Sequence, residues 1–207
     1  GESVFEVLLP FGGLDSVPDG IEVAWGSDVG PDLVYLEPDY IVRTMVESND
    51  PSFADGSLWG LDNAGQQSGV ADVDIDAPEG WALRSGAGEV VVAVIDTGIN
   101  YLHRDLVSNV WVNPLEIEGN GIDDDGNGWI DDVHGINVVA GSGDPYDDNG
   151  HGTHCAGTIG AEGNNALGGA GVAWDVQLMS LKFLSAGGSG KTSDAIVCIE
   201  YAVDQGV

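Results

Sequence analysis

Glu89-Val90-Val91-Val92-Ala93-Val94-Ile95-Asp96-Thr97-Gly98 is a continuous apolar run that ends in an acid and a turn. An uninterrupted β-branched run of this length is what a strand of a buried parallel sheet looks like, with a functional residue at its carboxyl end. Val176 to Leu184 reads as a second such strand. Between them, residues 151–161 are small and apolar, which predicts a closely packed helix. Thr192 to Gln205 predicts an amphipathic helix with Ile196, Ile199, Val203, Ala195 and Ala202 on a common side. Thr192 or Ser193 is its expected cap and Gly206 its end. Upstream, Asp76 as a cap and Pro78 in a first turn, followed by Trp81 and Leu83, predict a short helix. Strands that alternate with helices imply an α/β fold with a mostly parallel sheet.

The amino-terminal part differs. Val4 to Leu9 is apolar, Ile21 to Trp25 and Leu33 to Leu36 alternate, and Gly/Pro/Asp clusters separate these runs. Residues 44–75 are polar and irregular. We therefore expect two domains, 1–43 and 44–207, with the boundary near residues 42–50. The chain begins at Gly1 without Met, and reads as a piece of a longer protein.

Hydrophobic residues make up 43% of the 207, and six are Trp, so a packed core is available. Five Lys+Arg stand against 35 Asp+Glu, a formal net charge of −30. Such a chain repels nucleic acid and anionic membrane surfaces, and neither is an expected partner. Most of the acids read as a solvated surface suited to salty surroundings. No run of about 18 apolar residues exists, so no membrane span is expected. Cys155 and Cys198 lie in apolar, helix-like sequence and read as small buried thiols.

Chemistry concentrates at Asp96 and in Asn149-Gly150-His151-Gly152-Thr153-His154-Cys155-Ala156-Gly157. A nucleophilic serine needs an imidazole base, and that base needs a carboxylate to hold its tautomer and stabilise its cation. Asp96 and His151 fit those two roles, and glycines on both sides leave the His151 ring open to neighbours. Taken alone, Asp96 could also cap a turn. Asp-Thr-Gly is in addition the aspartic-protease signature, which here would demand a homodimer to supply a second carboxylate. His151 and His154 are three apart with no acid between them, which disfavours a zinc protease. Ser185 to Thr192 imitates a phosphate loop, but Ser185 stands where the pattern requires Gly, and the charge opposes polyphosphate.

Asp123-Asp124-Asp125-Gly126-Asn127-Gly128-Trp129-Ile130-Asp131-Asp132 concentrates the acidic surplus. Hard cations take several oxygens from one compact loop. Asp123, Asp125 and Asn127 match the first three ligand positions of the EF-hand pattern, Gly128 its turn, Trp129 its carbonyl and Asp131 its ninth position. The twelfth position is His134 rather than Glu, with Asp132 as a substitute, and calcium is the expected ion.

Together these motifs resemble the subtilisin-like serine proteases, and more narrowly their calcium-rich, thermitase-like branch, over about Asn49 to Val207. The resemblance implies Asp96 as triad carboxylate, His151 as general base, and a non-catalytic His154. It makes Gly188, Ser189 and Gly190 one wall of the cleft, where peptide substrate pairs as an added strand. Asp50, Asp105 and Asn165 match the family's strong calcium site. Residues 1–43 look like the tail of a small α+β propeptide, an intramolecular chaperone and inhibitor cleaved between Val42 and Asn49. The family's nucleophile segment would follow the helix that ends here, and Ser189 and Ser193 stand in the wrong context for it. The expectation is thus a secreted, monomeric serine endopeptidase of which these residues alone are inactive, with a calcium-binding pseudo-enzyme as the alternative.

Overall fold

The computed structural model describes residues 46–207 and, before them, Val7–Leu8 and Tyr35–Leu36. The chain forms two compact units, Gly1–Arg43 and Thr44–Val207. In the first, strands β1 (Val7–Leu8) and β2 (Tyr35–Leu36) pair antiparallel, Val7 opposite Leu36. Both fall within apolar runs expected to be strands, whereas Ile21 to Trp25 lies outside the described residues.

The second unit is built on a parallel sheet of β3 (Val91–Asp96), β4 (Gly135–Asn137) and β5 (Gln177–Lys182), in the order β3-β5-β4. The register sets Val91 beside Gln177 and Asp96 beside Lys182. Among the described residues four α-helices accompany it: α1 (Pro51–Ala54), α2 (Ala77–Leu83), α3 (His151–Gly160) and α4 (Thr192–Asp204). This is the α/β architecture that the alternation of strand and helix signals implies.

Central β5 is buried from Leu178 to Lys182. Its two-residue period divides its side chains between two cores. Leu178 joins Val94, Ile99, Leu106, Val110 and the α3 residue Ala156. Met179 and Leu181 join Trp111, Ile136 and the α4 residues Cys198, Tyr201 and Ala202. A third cluster holds Leu61, Ala77 and Trp81, with the Trp81 and Trp174 ring centroids 4.8 Å apart and their planes tilted by 50°.

Several expectations need correction. β3 is less buried than a central strand, since only Val94 is fully covered. It stands at the sheet edge, with no strand on its far side among the described residues. The period of α4 is as read but its phase is not. Cys198, Tyr201 and Ala202 face the sheet, while Ile196, Ile199 and Val203 are half or more exposed. Its cap position is Lys191, with no side-chain cap bond, and Asp76 likewise stands at the cap of α2 without making one. Of the thiols only Cys198 is buried; Cys155 is partly exposed.

The end of β3 and the start of α3 are pressed together. A Cβ on Gly152 would stand 2.1 Å from the Gly98 carbonyl oxygen and 3.1 Å from Asp96 Cβ. The Gly152 N–H donates to Thr97 Oγ1 at 2.9 Å. That hydroxyl donates in turn to Asp147 Oδ1 at 2.9 Å. The same carboxylate accepts the N–H groups of Asn149, Gly150 and Thr153 and the Thr153 hydroxyl. Burial opposes ionisation of Asp147, yet these donors win and hold its pKa down at about 2, below the usual 3.8.

Two outcomes follow from this junction. Gly152→Ala has to displace backbone, and is expected to destabilise the fold by about 1–3 kcal/mol in urea unfolding. Asp147 binds its proton less readily folded than unfolded, so its stabilisation is complete above pH 3.8 and is lost as pH falls toward about 2. Asp147→Asn is therefore expected to cost about 2 kcal/mol at neutral pH. The gap from wild type should close across that acid window when unfolding is measured as a function of pH.

Candidate active site

Asp96 ends β3 and His151 opens α3, so the junction described above delivers both side chains to one place. His151 Nδ1 lies 2.8 Å from Asp96 Oδ1 and 2.9 Å from Oδ2. Only a protonated Nδ1 can make this contact with a carboxylate, so the neutral ring carries its lone pair on Nε2. The Asp96 side chain is 14% exposed and that of His151 65%. The carboxylate is thus shielded while the ring's other edge stays open to an incoming group. Asp96 Oδ1 also accepts the Thr97 N–H at 2.6 Å, which fixes its rotamer. The arrangement is a carboxylate–imidazole pair rather than two acids sharing a proton.

Two neighbours escaped the sequence reading. Cys155 Sγ lies 3.8 Å from His151 Nδ1. Burial and the Asp96 charge push the thiol's pKa up, so it stays protonated. The signal was available, since residues four apart on a helix share a face. Lys182, 2% exposed, sends its ammonium to the Thr97 carbonyl, Asp148 Oδ1 and the Leu184 carbonyl. One cation thereby joins the turn after Asp96, the loop before His151 and the segment leading to Gly188. A lysine inside an apolar strand, Leu181-Lys182-Phe183, was the clue.

Gly188, Ser189 and Gly190 do not form an extended strand here. They are exposed, in and just after a turn closed by the Ser185 N–H on the Ser189 carbonyl. Asn149 Nδ2 donates to the Ala186 carbonyl at 2.8 Å, which ties this turn to the His151 loop. Among the described residues His151 has no serine hydroxyl as a partner.

The acidic loop brings oxygens of Glu116, Asp123 and Asp125 within 4.8 Å of one another. Asn127 donates from its amide to Asp125 Oδ2 and to Asp132 Oδ2. Asp131 is turned elsewhere, accepting the N–H groups of Asn120 and Gly121. Glu116 was not singled out by the sequence, because it precedes the loop at no fixed spacing. Asp132 Oδ1 and Glu116 Oε2 are buried without a hydrogen-bond partner. Orphaned carboxylate oxygens beside other acids fit a hard cation, which takes oxygen ligands alone.

Asp50, Asp105 and Asn165 also come together. Asp50 is fully buried and accepts the N–H groups of Asn164, Asn165 and Leu167 as well as the Ser48 hydroxyl. Asn165 Nδ2 donates to Asp105 Oδ1 at 3.0 Å, and the Gly169 N–H to Asp105 Oδ2 at 3.0 Å. The loop 163–169 thus binds the segment around Asp50 to the body of the unit.

Comparison with known proteins gives one answer. The sequence profile of the subtilase family matches residues 87–207. Subtilisin-like protease 1 of Plasmodium berghei (strain Anka) is 41% identical over 150 residues, 72% of this chain and 24% of that protein. Thermitase of Thermoactinomyces vulgaris is 33% identical over 132 residues, 64% of this chain and 39% of that protein. The solved complex of the Aeromonas sobria serine protease with its chaperone matches at a TM-score of 0.54 and 27% identity, covering 73% of this chain and 23% of that one. The chain spans about a quarter to two fifths of these curated relatives. A profile that covers more than half of its residues, and relatives that are subtilisin-like serine proteases, establish that the chain belongs to the subtilase family.

Proposed function

We propose that this protein is a serine-type endopeptidase in which His151 is the general base and Asp96 its orienting carboxylate. The observation that carries the proposal is the two-oxygen contact of Asp96 with Nδ1, which leaves Nε2 free. Nε2 would take the proton of a serine hydroxyl as its oxygen attacks the peptide carbonyl, and return it to the departing amine. Asp96 stabilises the imidazolium formed between those steps without itself taking the proton. The substrate is a peptide or protein whose backbone runs along Gly188 to Gly190, next to the His151 loop through Asn149 and Ala186.

The same reading extends to the rest of the chain. Residues 1–43 act as an inhibitory propeptide and folding aid for residues 44–207. The separate compact unit at Gly1–Arg43 and the chaperone in the complex of the Aeromonas sobria protease support this. Calcium binds at the Asp123–Asp132 loop and beside Asp50, Asp105 and Asn165. When bound, it supplies positive charge that neutralises clustered carboxylates and stiffens their loops. Such sites suit an extracellular, calcium-replete setting, and we propose secretion of a monomer. No helix among the described residues is long and apolar enough to cross a membrane.

Two measurements test the catalytic reading. In the complete protein, Asp96→Asn frees the imidazole to adopt the wrong tautomer. It is expected to lower kcat by about 10⁴-fold, with KM little changed. A loss below about tenfold would remove Asp96 from the mechanism. Among the described residues His151 meets no serine hydroxyl, and residues 1–207 alone are expected to release no product from a fluorogenic peptide. Turnover sensitive to a serine-protease inhibitor would refute that expectation.

A further inference from the structure

Asn-Gly occurs three times in the chain, at Asn120–Gly121, Asn127–Gly128 and Asn149–Gly150. This dipeptide is chemically weak. The glycine nitrogen, once it has lost its proton, attacks Cγ of the asparagine side chain, and no Cβ on the glycine hinders the approach. A C–N bond forms, the Cγ–Nδ2 bond breaks, and ammonia leaves with the proton. Water then opens the resulting succinimide to aspartate or to isoaspartate, whose main chain runs through the side-chain carbon. All six residues are exposed, so burial protects none of them.

Each attacking nitrogen is nonetheless engaged by a carboxylate. The Gly150 N–H donates to Asp147 Oδ1 at 2.9 Å, the Gly128 N–H to Asp123 Oδ2 at 2.9 Å and the Gly121 N–H to Asp131 Oδ2 at 3.0 Å. The acceptor stands three and five residues before the glycine in the first two, and ten after it in the third. No single turn motif therefore produces the pattern. The asparagine side chains are fixed as well. Each Oδ1 accepts the N–H two residues on, from Ile122, Trp129 and His151. Nδ2, the group that must leave, donates to Asp124 from Asn120, to Asp125 and Asp132 from Asn127, and to the Ala186 carbonyl from Asn149.

We propose that Asn149–Gly150 is a succinimide-forming site kept closed by Asp147, and that Asp123 and Asp131 guard Asn127–Gly128 and Asn120–Gly121 in the same way. An N–H that donates to a carboxylate resists deprotonation, because the nitrogen anion would face a like charge. Asp147 is 7% exposed, so water and salt screen its charge little. The bound side-chain amide keeps Cγ from turning onto the nitrogen. Reaction then waits for a local opening that breaks both sets of bonds. Its consequence is largest at Asn149. Isoaspartate there adds a carbon to the main chain just before His151 and removes the Nδ2 donor that ties this loop to Ala186. A transient opening of the junction thereby becomes permanent damage beside the imidazole. Part of the acidic surplus has in this a chemical use besides solvation.

Peptide mapping with isoaspartate detection, on the full chain aged at mildly alkaline pH, reads the three sites separately. Folded wild type is expected to react at Asn149 about tenfold or more slowly than the same chain aged in urea. Asp147→Ala is expected to speed reaction at Asn149 by about tenfold or more, and at the other two sites by less than about twofold. Asp123→Ala and Asp131→Ala are expected to speed Asn127 and Asn120 respectively and to leave Asn149 unchanged. Unchanged rates at their own sites overturn the guard there. Equal rates at Asn149 in the folded and unfolded chain overturn the protection, and an unchanged rate at Asn149 in Asp147→Ala overturns the role of Asp147. Equal acceleration of all three sites by Asp147→Ala assigns the effect to global unfolding and overturns that role too. Should Asp147→Ala fail to fold, Asp147→Asn keeps the side chain's shape while removing its charge, and the same outcomes decide.

Discussion

The Asp147 carboxylate is the constraint on which the site depends. It holds the loop before α3 by the Asn149 and Gly150 amides, the first turn of α3 by Thr153, and the end of β3 by the Thr97 hydroxyl. The contact of His151 with Asp96 is a consequence of this arrangement. Strand end and helix start must meet within hydrogen-bond reach, and a glycine at 152 lets the backbones touch. Lys182 reinforces the same junction from below with its bonds to the Thr97 carbonyl and Asp148. The pair that would do chemistry touches each other, while the groups that hold the pair in place lie one shell further out.

Short-range patterns in the sequence were legible because their causes are local. Asp96 at a strand end and His151 between glycines are fixed by a few neighbours, and the structure brings them to 2.8 Å. Helix period in α4 was legible for the same reason. Its phase was not, because the face that becomes buried is chosen by which residues of the sheet layer lie beneath, and Trp111 and Ile136 are far away in sequence. Lys182, Cys155 and Glu116 were missed on similar grounds. Each acquires its significance from partners brought close only by the fold, apart from Cys155, where helical spacing alone would have served.

The acidic loop shows how far a ligand pattern can be trusted. The EF-hand template assumes a particular backbone path, in which alternate side chains converge. Here Asp131 adopts a left-handed φ of 53° and its carboxylate caps the Asn120 turn instead. Its neighbour Asp132 is fully buried and accepts the Tyr201 hydroxyl and the Asn127 amide on one oxygen. A net charge of −30 makes such pairing valuable, since the chain has few cations of its own to set against its carboxylates.

The sheet order has a kinetic side. β3 pairs in parallel with β5, and the Lys182–Thr97 bond that seals this pairing joins residues 85 apart. No local hairpin can form first and guide the strands together, because parallel neighbours need a crossover between them. The entropy of closing so long a loop falls before any of the sheet's contacts repay it. Collapse into wrong registers competes during that search, and the rate of reaching the native topology, more than its final stability, is where a folding aid acting on this chain would exert its effect.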